Sequence, residues 1–250
     1  MIDIQDHNGA LVLRMAYGKA NTLDLESCRA LTGELERLTR AGAPGFVLTG
    51  RGTVFSAGVD LVRVIEGGGP YVREFLPVMS RAFEALFLYP GPVVAAINGH
   101  AIAGGCILAC GADRRLIARG PARIGVPELL VGVPFPASVI EMVRFVAPSH
   151  GLADLVYGGQ TFSNEAACER GFADAVVEPA ELLDAAVVAL ERLTSIPRRS
   201  FEITKQQLRY PAHQRWHLTA GAFDREVVEA WASADTLAAI RTYVAKTLKK

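Results

Sequence analysis

Apolar and polar positions alternate in the first fifteen residues, in "IDIQ" and again in "ALVLRM", and the pair Asn8 and Gly9 separates the two runs. A period of two marks strands with one covered face, so the chain opens as a strand, a turn and a second strand. The spacing then changes. In "LDLESCRALTGELERLTRAG", residues 23–42, apolar residues recur three and four positions apart, which predicts an amphipathic helix. The same order returns with the apolar run "GFVLTG" (45–50), a polar glycine loop and a helical stretch at 71–90. A third unit starts at "PVVAAING" (92–99) and passes through a short apolar helix to "RRLIARGPARIG" (114–125). The units share an order of elements without sharing sequence, and so predict a structural repeat in an α/β fold.

Beyond Glu141 the pattern is helical, with one strand predicted at 173–177. At Pro197 the character changes. "RRSFEITKQQLR" and the stretch 222–250 both show helical periodicity, and the second is long for a helix that packs on its own chain alone. These patterns predict a core over residues 1–196 and a helical region, 197–250, that docks on a neighbouring copy.

With 250 residues, half of them apolar, the chain can bury a sizeable core as one domain. Its 26 basic and 26 acidic residues cancel, which argues against a global attraction to nucleic acid or an anionic membrane surface. The cysteines, Cys28, Cys106, Cys110 and Cys168, form no CxxC pair and sit mostly in apolar stretches, as structural thiols of a reducing compartment do. Neither a signal-peptide pattern at the N-terminus nor an apolar run of about 20 residues is present, so the expected location is cytoplasmic. His213 and His217 have the i, i+4 spacing of helix metal ligands, but no third ligand stands near them in sequence, and no metal site is predicted.

One stretch carries candidate chemistry. In "AINGHAIAGGCILACGAD" an apolar strand gives way to Gly104 and Gly105 at the start of a helix that is apolar all round. Helix N-termini present unpaired N–H groups that stabilise oxygens carrying negative charge, and an apolar helix places such donors in a water-poor interior. A second segment, "TVFSAGVDL" (53–61), brings the small residues Ser56, Ala57 and Gly58 after a strand, where backbone can approach a ligand closely. Spacing alone leaves two readings open: a pair of donors near Ala57 and at Gly104 that clamp one carbonyl oxygen, or two ordinary tight turns.

The segments "FSAGVDL", "PVVAAINGHAIAGGCILACGADRRLIA" and "IGVPELLVGVPFP", followed by "GGQTFSNEAACERGFADAVVEP", resemble in order and separation the signature segments of the crotonase superfamily, the enoyl-CoA hydratases and isomerases. With "FEITKQQL" and "AAIRTYVAKTLKK" the resemblance spans nearly the whole chain. It implies a crotonase-like spiral of ββα units with a C-terminal helical region that forms a homotrimer, commonly paired into a hexamer. It implies an acyl-CoA thioester as substrate, with coenzyme A part of that substrate and no further cofactor. Matched to this chain, the oxyanion donors fall at Ala57 and Gly104, with Ser56, Gly58, Val59, Asp60, Leu61, Gly105, Ile107 and Pro127 lining the substrate. Lys19 and Ala20 match a region that runs along CoA. Arg63, Lys246, Lys249, Lys250 and Phe223 are further candidates for the nucleotide.

Hydratases of this superfamily carry two glutamates. In this chain the second is Glu128, and the first position is Ile107. Hydration needs a positioned water and a proton donor, whereas moving a double bond from the 3,4 to the 2,3 position needs one base to lift a proton from one carbon and return it to another. A single carboxylate suffices for the second reaction, as in the mitochondrial type of enoyl-CoA isomerase that "AGGCIL" resembles. The leading expectation is therefore an isomerase with Glu128 as proton shuttle. Its pKa should be raised by the apolar surroundings that Leu129, Leu130, Val133, Pro134, Phe135 and Pro136 suggest. Hydratase-like, thioesterase or decarboxylase chemistry, and a non-catalytic acyl-CoA-binding scaffold, are the alternatives. Glu141 and Asp60 are expected on a solvated helix face and as a loop-fixing group, and His100 as a packing residue near the pocket.

Overall fold

The computed structural model describes residues 1–42, 45–147 and 151–247. Strands β1 (Ile2–His7) and β2 (Ala10–Met15) pair antiparallel across the turn at Asn8 and Gly9, both with positive φ. Helix α1 (Leu25–Arg40) follows, capped by Asp24, whose side chain accepts from the Ser27 N–H while the Ser27 hydroxyl accepts from the Asp24 N–H. The second unit is β3 (Phe46–Gly50), β4 (Val54–Ser56) and α2 (Leu61–Phe87), and the third is β5 (Val93–Ile97), β6 (His100–Ile102) and α3 (Gly104–Cys110). The fourth is β7 (Arg114–Ala118), β8 (Ile124–Gly125) and the single turn α4 (Glu128–Val131).

Each later unit sends its first strand to one sheet and its second to another, and this is what makes the chain a spiral. One sheet has the order β1-β2-β3-β5-β7-β10, with β10 at Ala175–Val177. The other has the order β4-β6-β8-β9, with β9 at Thr161–Phe162. From β2 to β10 the five strands run parallel, and both sheet faces are covered. On one face Leu13, Leu48, Ala95 and Ile117 join the main core with α1, α2 and α3. On the other, Val12, Val47, Val94 and Leu116 meet Leu182, Ala186, Val187 and Leu190 of α8 (Leu182–Thr194). Burial on both sides explains why "FVLTG" and "VVAAI" are continuous apolar runs, the habit of parallel strands.

Helix α2 begins ten residues before the predicted start at 71. Asp60 caps it, accepting from the N–H groups of Val62 and Arg63, and Gly68 at φ 57 kinks it just before Pro70. The polar glycine stretch is thus a helix with a kink rather than a loop.

Helices α5 (Ala137–Val146), α6 (Leu152–Gly158) and α7 (Asn164–Glu169) lead to α8, and the chain ends in α9 (Arg198–Ala232) and α10 (Ala234–Thr247). The two C-terminal helices meet at Ser233, whose extended ψ ends α9 and whose hydroxyl accepts from the Thr236 N–H to start α10. Within the chain, α9 packs on α2 and α5, and α10 on α2 and α4. Buried cations fasten it. Asp113 receives Lys205 Nζ and an Arg209 guanidinium N–H, each at 2.7 Å, and Arg209 also donates to the carbonyls of Phe87 and Gly111.

Candidate functional site

The "FSAGVDL" loop is held from behind by the turn after β2. Asn21, in the left-handed region at φ 49, accepts from the Tyr17 N–H and donates to the carbonyls of Val54 and Phe55. Ser56 Oγ donates to the Asn21 carbonyl and accepts from the Gly58 N–H. Ser56 therefore shapes the loop. The Ala57 N–H donates to the Ala20 carbonyl at 3.0 Å. That bond removes Ala57 as an oxyanion donor and gives Ala20 a scaffolding role.

The unpartnered N–H lies two residues on, at Val59. Leu23 and Val59 form a parallel bridge in which the Leu23 N–H donates to the Gly58 carbonyl and the Asp60 N–H to the Leu23 carbonyl. In such a bridge the groups flanking Val59 face Leu23, so the N–H of Val59 itself faces the opposite side. Among the described residues nothing accepts from it.

The N-terminus of α3 supplies the second donor. Ala103 lies at φ 52 and ψ −124, an unusual place for a residue with a Cβ, and is held there by its N–H on the Gly125 carbonyl. No side chain caps the helix, its first recorded bond runs from Ile107 to the Ala103 carbonyl, and no described residue accepts from the Gly104 N–H. A Cβ on Gly58 would stand 3.0 Å from the Gly104 nitrogen, so the loop and the helix end are in contact.

The glycine pair does not clear space for a ligand, as its sequence context suggested. A Cβ on Gly105 would lie 2.1 Å from the Ser56 carbonyl, and one on Gly104 would meet Leu23 Cδ1 at 2.7 Å. These glycines let the two loops close on one another.

Glu128 follows Gly125 by three residues, and the bond from Ala103 to Gly125 ties its segment to the start of α3. Its side chain is buried, and Oε2 has no hydrogen-bond partner among the described residues. Burial raises its pKa from 4.5 to about 8. Leu129 and Leu130 are both exposed and do not supply that burial. The Cys106 thiol is pushed up chiefly by its own burial, then by Cys110 and by the Glu128 charge. Ile107, at the position of a second carboxylate, is fully buried. Pro127 precedes α4 at its N-cap.

Other expected residues fall elsewhere. Lys19 is exposed at the turn that holds Ala20. Arg63 pairs with Glu26 at 3.0 Å and stands over the Tyr71 ring. Asp60 fixes its loop as the cap of α2, Leu61 opens that helix, and His100 Nδ1 accepts from the Arg123 N–H. Lys246 and Phe223 are exposed on the C-terminal helices, and Lys249 and Lys250 lie outside the described residues. Glu141 is not on a solvated face: it is buried between Arg144 and Arg215, which hold its two oxygens at 3.0 and 2.8 Å. The expectation that His213 and His217 lack a third ligand is also overturned, because helix packing brings Glu84 of α2 to both.

An uncapped helix N-terminus beside a loop N–H, with one buried carboxyl group on the segment tied to that helix start, is an arrangement able to stabilise an oxygen that carries negative charge. The family model described as enoyl-CoA hydratase/isomerase matches residues 5–248, and the chain belongs to that family. The chain is 31% identical over 196 residues to the short-chain-enoyl-CoA hydratase of Clostridium acetobutylicum, covering 77% of this chain and 73% of that one. It is 27% identical over 212 residues to mouse mitochondrial enoyl-CoA delta isomerase 1, covering 84% and 73%. The crystal structure of human mitochondrial delta3-delta2-enoyl-CoA isomerase superposes with a TM-score of 0.93 over 99% of this chain and 98% of that one, at 23% identity, a likeness of fold. Among the described residues no helix is long and apolar enough to cross a membrane.

Proposed function

We propose that this member of the family is an enoyl-CoA isomerase that converts a 3-enoyl-CoA to the 2-enoyl isomer. The observation that carries the reading is the lone, unpartnered carboxyl group of Glu128, with Ile107 where a second acid would stand. Glu128 as carboxylate takes a proton from the carbon next to the thioester. The electrons move onto the thioester oxygen and give a dienolate, which the N–H groups of Val59 and Gly104 stabilise. Glu128, now protonated, delivers the proton to the γ carbon, and the double bond comes to rest in conjugation with the carbonyl. One group serves as base and then as acid, so no water is consumed.

Coenzyme A enters as part of the substrate, with Lys19 as the candidate partner of its phosphates, and the reading needs no other cofactor. Assembly into trimers or paired trimers is part of the same proposal.

The test is turnover of purified protein on 3-enoyl-CoA and on 2-enoyl-CoA, wild type beside Glu128→Gln. Isomerisation lost in the variant supports the reading. Hydration of the 2-enoyl substrate without isomerisation, thioester cleavage, or acyl-CoA binding with no turnover, each overturns it in favour of another chemistry or of a scaffold.

A further inference from the structure

Away from this site, Glu84 of α2 meets His213 and His217 on successive turns of α9. His213 Nε2 lies 2.7 Å from Glu84 Oε1, His217 Nε2 lies 3.1 Å from the same oxygen, and the two nitrogens are 2.9 Å apart. Three close contacts among three atoms pose a proton problem. A neutral imidazole nitrogen either carries a hydrogen or presents a lone pair, never both. If His213 Nε2 donates to Glu84, it cannot accept from His217. If it accepts from His217, it faces the carboxylate lone pair to lone pair. Protonating both rings satisfies the carboxylate but sets two N–H groups against each other. With Glu84 ionised, no assignment of hydrogens makes all three contacts favourable.

A cation does. We propose that Glu84, His213 and His217 bind a divalent transition ion of the zinc type. With Nε2 of both rings deprotonated, all three atoms offer lone pairs within reach of one ion, and any Nε2 protons leave to solvent when the ion enters. The circle through the three atoms has a radius of about 1.7 Å, shorter than a Zn–N bond of about 2.0–2.1 Å, so a point at bonding distance from all three exists just off their plane. Two imidazoles and one carboxylate form a ligand set that zinc accepts, and hard ions such as Mg²⁺ are excluded by the nitrogen donors. His217 is the most exposed of the three. The ion would clip the middle of α9 to α2 and leave the acyl-CoA site untouched.

The experiment is calorimetric titration of chelator-treated protein with ZnCl2, paired with thermal melts, for the wild type, His217→Ala and Glu84→Gln. His217→Ala changes an exposed side chain and should fold normally. Loss of supporting groups around a metal already weakens binding about 10- to 100-fold, so losing a ligand should weaken it at least about 100-fold. The expected result is one high-affinity zinc per chain with a melting temperature that rises with zinc in the wild type alone, and no such response to MgCl2. Wild type and His217→Ala titrating alike, or a wild type that binds no zinc at micromolar concentration, would overturn the proposal. Neither readout depends on turnover, so the outcome is separate from that of the isomerase assay.

Discussion

Gly58 and Gly104 touch through their backbones: with φ at 81 and a virtual Cβ 2.6 Å from the Ile102 carbonyl and 3.0 Å from the Gly104 nitrogen, position 58 has room for hydrogen alone. This contact sets the spacing between the Val59 and Gly104 N–H groups. Gly58→Ala should force the loops apart and lower kcat by about 100-fold or more, the scale of losing one oxyanion donor. Turnover is measured beside a melt showing that the variant is folded. Full activity in Gly58→Ala would mean that the two N–H groups do not act together.

The two glycines that open α3 should respond differently to alanine. At Gly105 the new methyl meets the Ser56 backbone carbonyl at 2.1 Å, which cannot yield without moving β4. At Gly104 it meets the end of the Leu23 side chain at 2.7 Å, which can rotate. Thermal melts should therefore rank Gly105→Ala as clearly the more damaging, at several kcal/mol, against about 1–3 kcal/mol for overpacking at Gly104. The reverse order would restore the reading in which both glycines exist to admit a ligand.

How far the sequence discloses such a site depends on the range of the interactions. The strands β3 and β5 announce themselves as apolar runs because both their faces are covered by local rules of burial. The short strands β4, β6 and β8 carry no periodicity, being two or three residues long and defined by pairing with one another. The importance of Glu128 follows from its residue type and setting in "GVPELL", but the cause of its burial does not, since the neighbouring leucines point outward. Matching segments places the donor at Ala57, and only the bond to Ala20, 37 positions away, reveals that its N–H is already committed. Glu84 and His213 lie 129 positions apart and meet through helix packing, with no motif to announce them.

Glu128 makes a pH prediction with two signs. As a base it must be ionised, and burial holds its pKa at about 8, so kcat/KM should rise with pH and level off above about pH 8. Glu128→Gln should lose about 100- to 10,000-fold in rate and show no such limb. Stability runs the other way. The folded protein holds this proton between pH 4.5 and about 8, while the unfolded chain releases it, so the contribution of Glu128 is fully present below pH 4.5 and declines up to about pH 8. Denaturant melts across that window should show the wild type falling relative to Glu128→Gln. Parallel pH profiles would place the Glu128 carboxyl in water.

The anchor of α9 gives a prediction independent of catalysis. Asp113 accepts from Lys205, from Arg209 and from the Val93 N–H, and the Arg209 guanidinium also stacks on the Phe87 ring at 4.5 Å from its centroid. All three charges are largely withdrawn from water, which is costly unless each has its partner. Asp113→Ala leaves two buried cations without their counter-ion. Breaking a buried pair in this way costs about 3–5 kcal/mol, and the melting temperature of a chain this size should fall on the order of 10 °C. Because the cations sit on α9 and the acid just before β7, the loss should concentrate where that helix meets the core. Hydrogen exchange should therefore show α9 opening in the variant while β3 and β5 stay protected. Unchanged protection of α9 would mean that its apolar contacts, the buried Trp216 and Trp231 among them, hold it without the ionic anchor.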